Sequence, residues 1–228
     1  MKTYIYSLLL IFTFVNPGKD LARLTNLSNM TYTYLALGDS YTIGEQVPVA
    51  ENYPNQVVQM LRKKGVLFYA PEIIAKTGWS TDELQSAINE HQFLEKYDFV
   101  SLLIGVNNQY RGRPVNEFED QFETLLKKAI QFAGNDRSRV VIISIPDWGV
   151  TPFAESRDKK QIKAEIDSYN NVCKSIAGKY QIHYIYITDW TREAASDHSL
   201  LTADGLHPSG KEYKRWAELI SGHFLSKL

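Results

Sequence analysis

A three-layer α/β/α sandwich on a five-stranded parallel sheet is the fold class this sequence predicts. Two patterns carry the prediction. Five short runs are almost continuously apolar, as strands covered on both faces must be. Between them lie stretches with apolar residues at helical spacing. Strand–helix–strand alternation with right-handed crossovers places helices on both faces of a parallel sheet. A chain of 228 residues suits one such domain.

The elements follow in order. Tyr32-Thr33-Tyr34-Leu35-Ala36-Leu37 is the first strand. Gln56 to Lys64 has helical spacing and is closed by Gly65, a residue suited to the turn past a helix end. Leu67 to Ala75 holds the second strand, with an interruption expected at Pro71. Ser80-Thr81-Asp82-Glu83 is a helix start, and Leu84, Ala87, Ile88 and His91 share one face. Phe99 to Ile104 is the third strand, and Phe118, Phe122, Leu125, Ala129 and Ala133 stripe the next helix. Val140 to Ile145 is a β-branched fourth strand. Ile162, Ile166, Tyr169, Cys173 and Ile176 mark a helix, and Ile182 to Ile187 the fifth strand. Tyr213, Trp216, Ala217, Ile220 and Phe224 give a final amphipathic helix.

The first 30 residues stand apart from this pattern. Lys2 precedes an apolar run from Ile5 to Val15, broken by Tyr6, Ser7 and Thr13. A membrane span needs roughly 20 apolar residues. The run is shorter and fits the start of a secretory signal. Asn16-Pro17-Gly18 is not a small-residue cleavage pattern, so a start at Met30 is the rival reading. The expected division is a signal or disordered leader over 1–30 and one folded domain over 31–228. Export to the periplasm or medium follows from the first reading, cytoplasmic residence from the second.

Charge narrows the function. Twenty-five basic residues face 26 acidic ones, with no basic tract, so nucleic acid is not an expected partner. One cysteine, Cys173, excludes an internal disulfide and a multi-cysteine metal site. It lies on a helix stripe and reads as a buried apolar residue. Neither G-x-x-x-x-G-K-[ST] nor G-x-G-x-x-G occurs, which argues against phosphate binding.

Ligands of parallel sheets bind beyond the carboxyl ends of the strands. There the sequence places Gly38-Asp39-Ser40-Tyr41, Thr77-Gly78-Trp79-Ser80, Gly105-Val106-Asn107-Asn108 and, in the last loop, Asp204-Gly205-Leu206-His207-Pro208. Acyl transfer needs this inventory. A serine hydroxyl attacks only when a base takes its proton, and the base needs a third group to fix its tautomer. Ser40 offers the hydroxyl, His207 the base and Asp204, three residues away, the orienting carboxylate. The backbone N–H groups of Ser40 and Gly78 and the Asn107 side-chain amide offer donors for the oxyanion. At Gly78 a side chain would obstruct close approach of the backbone. Each feature also has a plainer use as a turn or helix cap. Their conjunction on one edge favours catalysis.

These segments resemble the blocks of the SGNH (GDSL) hydrolases. Gly38-Asp39-Ser40 matches the first block, Gly78 the glycine of the second, Gly105-Val106-Asn107-Asn108 the third and Asp204-Gly205-Leu206-His207 the last. The resemblance runs from about Tyr34 to the C-terminus. It implies a flavodoxin-like fold and ester hydrolysis through an acyl-enzyme, with no metal or other cofactor. By motif position, Ser40 is the nucleophile and an oxyanion donor, Gly78 and Asn107 complete the oxyanion hole, and Asp204 and His207 complete the triad. Asn108 stands where the family often has Asp, so a role for that carboxylate is not carried over. No G-x-S-x-G occurs, against an α/β-hydrolase elbow.

Aromatic residues gather near these loops: Tyr41, Trp79, Tyr110, Trp148 and Phe153. Trp79 and Trp148 are the candidates for substrate contact. His91, His183, His198 and His223 rank below His207: only His198 has a carboxylate close by, Asp197 directly before it, and adjacent residues rarely face each other in regular structure. His91 is expected in the core. The expected substrate is a short or accessible acyl ester, such as an acetylated carbohydrate or a lysophospholipid. The expected mature protein has no membrane span, and nothing in the sequence sets its oligomeric state. A carbohydrate-binding domain without catalysis, on the same scaffold, is the alternative.

Overall fold

The computed structural model describes residues 30–228, which form a five-stranded, wholly parallel sheet between two helical layers. The strands are β1 (Tyr34–Asp39), β2 (Glu72–Lys76), β3 (Phe99–Leu103), β4 (Val140–Ile143) and β5 (His183–Ile185). Their order across the sheet is β2-β1-β3-β4-β5. Leu35 pairs with Glu72 on one side and Val100 on the other, so β1 is an interior strand. Its apolar residues Leu35, Ala36 and Leu37 are fully buried. Each buried leucine stabilises the fold by roughly 1.5–3 kcal/mol.

The helices are α1 (Ser40–Ile43), α2 (Tyr53–Lys63), α3 (Thr81–Glu90), α4 (Val106–Tyr110), α5 (Val115–Phe132), α6 (Lys159–Tyr180), α7 (Thr188–Arg192) and α8 (Gly210–Leu225). One layer packs α2 along α8; the other packs α3, α5 and α6. Local chemistry sets their ends. Asn52 caps α2 by accepting the Asn55 N–H, and the chain leaves that helix through Gly65 at φ +81°. Ser80 and Glu83 form a reciprocal capping box on α3. Asp158 caps α6 through the N–H groups of Lys160 and Gln161.

The expected strands are present with shifted ends. The second predicted run splits in two. Phe68 makes an isolated bridge to Tyr32, and the ladder resumes at Glu72, after Pro71, which has no N–H to give. Strand β5 ends early because the Ile187 N–H donates to Ser144 Oγ instead of a strand. His91, expected in the core, is exposed just past α3, where its Nε2 meets Glu72 at 2.8 Å. The signal-peptide reading falls on residues 1–29, outside the described residues. No helix among the described residues is long and apolar enough to cross a membrane.

Candidate active site

In a sheet of order 2-1-3-4-5, the chain leaves the central strands in opposite directions between β1 and β3. A crevice forms there at their carboxyl ends. Ser40 directly follows β1, and Asn107 lies in α4, just after β3. Gly38 makes the turn into α1 possible. A Cβ there would lie 2.0 Å from Thr42 Oγ1 and 2.4 Å from the Leu103 carbonyl oxygen. Asp39 caps α1, accepting the Tyr41 N–H at 3.0 Å, which fixes Ser40 at the head of the helix.

Ser40, Gly78, Asn107 and His207 line one cleft of about 200 Å3, together with Tyr41, Thr77, Val106, Tyr110, Trp148, Phe153 and Leu206. Four loops distant in sequence thus meet there. Among the described residues no hydrogen bond joins the Ser40 hydroxyl to the His207 ring; the two share the cleft wall. Catalytic contacts are commonly loose before substrate arrives.

His207 is held from several sides. Its Nδ1 lies 2.6 Å from Asp204 Oδ2. Asp204 Oδ1 accepts the N–H groups of Leu206 and His207, at 2.9 and 3.0 Å, and the Thr202 hydroxyl at 2.8 Å. The His207 carbonyl accepts the Thr202 N–H at 2.8 Å. Tyr41 packs on the imidazole, with ring centroids 5.3 Å apart. Partial burial opposes ionisation of Asp204, but the His207 ring and these donors outweigh it and hold the carboxyl near pKa 2. A carboxylate so placed fixes the Nδ1–H tautomer and leaves Nε2 free to accept a proton. Pro208 directly precedes Ser209, the N-cap of α8.

The backbone at residue 78 itself calls for glycine. A Cβ there would find open space, with Arg111 Nη2 its one neighbour at 4.0 Å, but φ is +85°, which L side chains rarely adopt. Asn107 Nδ2 donates one hydrogen to the Trp79 carbonyl at 2.9 Å, leaving its second for the cleft. Asn108 turns away and is buried, its amide bonding the Thr81 N–H and hydroxyl at 3.0 and 2.6 Å. A neutral amide therefore ties the loop ends here.

Trp148 is buried, its Nε1 donating to Gln109 Oε1 at 2.7 Å, and it forms part of the cleft wall. Trp79 does not line the cleft; it is half-buried against the core and meets the site through its carbonyl. Val106 and Leu206 are cleft residues that the sequence left unmarked, although both sit inside the motif segments. Arg111 also escaped notice, since nothing local marks a guanidinium that reaches 33 residues back to the Gly78 carbonyl. Asp39 is a further titratable neighbour. Burial raises its pKa from the usual carboxylate range to about 7, against the pull of the Tyr41 N–H. Its Oδ2 and the Tyr213 hydroxyl are buried without hydrogen-bond partners among the described residues.

Solved structures with this architecture include a lipase/acylhydrolase from Enterococcus faecalis, 20% identical, with TM-score 0.69 over 87% of this chain and 97% of that one. An acetylxylan esterase from Geobacillus stearothermophilus is 18% identical, with TM-score 0.67 over 85% and 94%. A psychrotrophic esterase from Pseudoalteromonas sp. is 16% identical, with TM-score 0.60 over 86% and 97%. No curated protein sequence matches the chain. The profile of the GDSL-like lipase/acylhydrolase family matches residues 36–215. The chain belongs to that family and is an ester-hydrolysing enzyme.

Proposed function

We propose that the protein hydrolyses accessible acyl esters through a covalent intermediate on Ser40. The observation that carries this reading is the meeting of Ser40, Gly78, Asn107 and the Asp204-held His207 on one cleft wall. In acylation, His207 Nε2 takes the hydroxyl proton as Ser40 Oγ bonds to the carbonyl carbon, and the carbonyl π pair moves to its oxygen. The N–H groups of Ser40 and Gly78 and the Asn107 amide stabilise the resulting oxyanion. The oxyanion collapses, the carbon–oxygen bond to the alcohol breaks, and His207 gives its proton to the leaving oxygen. In deacylation, His207 removes a proton from water as its oxygen adds to the acyl carbon; collapse then breaks the carbon–Oγ bond, and His207 returns the proton to Ser40 Oγ as the acid leaves. Asp204 steadies the imidazolium formed in each half.

The cleft walls favour an acyl ester with an apolar or ring-bearing part, because Val106, Tyr110, Trp148, Phe153 and Leu206 offer apolar and aromatic surface. Acetylated sugars and lysophospholipids are the substrate classes proposed. The catalytic unit is residues 31–228. The apolar N-terminal run supports export of this unit, with cytoplasmic residence the alternative if Met30 begins the protein.

The test is turnover of p-nitrophenyl acetate by Ser40→Ala and His207→Ala. Each variant is expected to keep the parent's circular dichroism and lose at least about 10³ in kcat. A folded Ser40→Ala protein that turns over like the parent would overturn the proposal.

A further inference from the structure

We infer that Arg111 is a positioning residue that aligns Gly78 and Asn107 as oxyanion donors; this rests on the assignment of those donors above. Arg111 caps α4, the helix that carries Asn107, and its backbone N–H donates to the Asn107 carbonyl at 3.1 Å. Its guanidinium crosses to the loop between β2 and α3. There Nη2 donates to the Gly78 carbonyl at 2.7 Å, and Nη1 donates to Ser80 Oγ at 3.1 Å and to Glu83 Oε2 at 2.9 Å. One residue thus bonds the backbone carbonyl of each donor residue.

Such a brace answers a specific need. A glycine has more backbone freedom than any other residue, and Gly78 sits at φ +85° with open space where a side chain would be. Packing cannot fix it. An oxyanion donor contributes only when aimed where charge develops, and a displacement of about 1 Å can cost about a hundredfold in rate. The planar guanidinium supplies several donors in fixed geometry, so it can hold the Gly78 carbonyl and the α3 cap together. The Asn107 amide on the Trp79 carbonyl makes a second tie between the same two loops.

The test measures kcat and KM on p-nitrophenyl acetate for Arg111→Ala, Arg111→Lys, Asn107→Ala and the Arg111→Ala/Asn107→Ala double variant, with folding checked by thermal melting. Arg111→Ala is expected to lose about tenfold to a hundredfold in kcat with KM nearly unchanged, because the loss falls in the transition state. Arg111→Lys keeps one donor for the Gly78 carbonyl and should recover part of the loss. The double variant should fall well short of the product of the two single losses, since both act on one oxyanion. Two results overturn the proposal while leaving the oxyanion hole intact. One is a folded Arg111→Ala enzyme with parental kcat beside an impaired Asn107→Ala; the other is fully multiplicative losses in the double variant. Parental kcat in Asn107→Ala would instead remove the donor assignment, and this inference with it. Should Arg111→Ala not fold, Arg111→Met, which keeps the stem and lacks the donors, carries the comparison, with parental kcat again the overturning result.

Discussion

Asp39 buries a carboxyl group beside the candidate nucleophile, and burial raises its pKa to about 7. An unfolded aspartate ionises near 3.8, so between those values the folded state holds a proton that the unfolded state has lost. Asp39 therefore favours folding most below about pH 4, and that contribution declines until pH passes 7. Asp39→Asn removes the titration. Its stability relative to the parent should rise by on the order of 2 kcal/mol between pH 5 and pH 8, read from urea midpoints. An unchanged difference would show that Asp39 does not titrate in this window. The residues of the site were unevenly legible. Asp204 and His207 lie three apart, so their pairing is nearly a local property of one loop. Ser40, Gly78 and Asn107 were legible because each follows a strand. Arg111 was not, since its partners are assembled by the fold across two loops. Trp79 enters the site through its carbonyl, because proximity in sequence does not say which face a side chain takes.

At the scale of elements, the junction of β1 with α1 is the tightest point in the site. A methyl group on residue 38 would meet Thr42 Oγ1 at 2.0 Å and the backbone oxygen of Leu103 at 2.4 Å. Backbone cannot yield as a long side chain can. Gly38→Ala should therefore destabilise the fold by about 3 kcal/mol or more, with activity reduced because Ser40 is displaced. An unchanged urea midpoint would contradict the packing described here. Element starts were legible where a capping side chain announces them, as at Ser80 and Glu83. Strand ends were less legible, because side chains elsewhere capture the ladder groups, as Ser144 does with the Ile187 N–H. His91 shows the limit of periodicity: its place on an apolar stripe extends one residue beyond the helix, and the chain turns it outward to Glu72.

Across the whole molecule, apolar runs gave the layer architecture, but periodicity alone carries no strand order. The order β2-β1-β3-β4-β5 is what puts the ends of β1 and β3 side by side and makes one cleft from four separated segments. The motifs marked the cleft residues in sequence, and the sheet brings them together. The central claim is that this convergence makes Ser40 a nucleophile dependent on His207. A fluorophosphonate probe tests it most directly, with the modified residue found by peptide mass spectrometry. The parent should be labelled stoichiometrically at Ser40, and His207→Ala labelled at least about a hundredfold more slowly. A folded parent that stays unlabelled, takes the probe at another residue, or reacts at the same rate without His207 would contradict it.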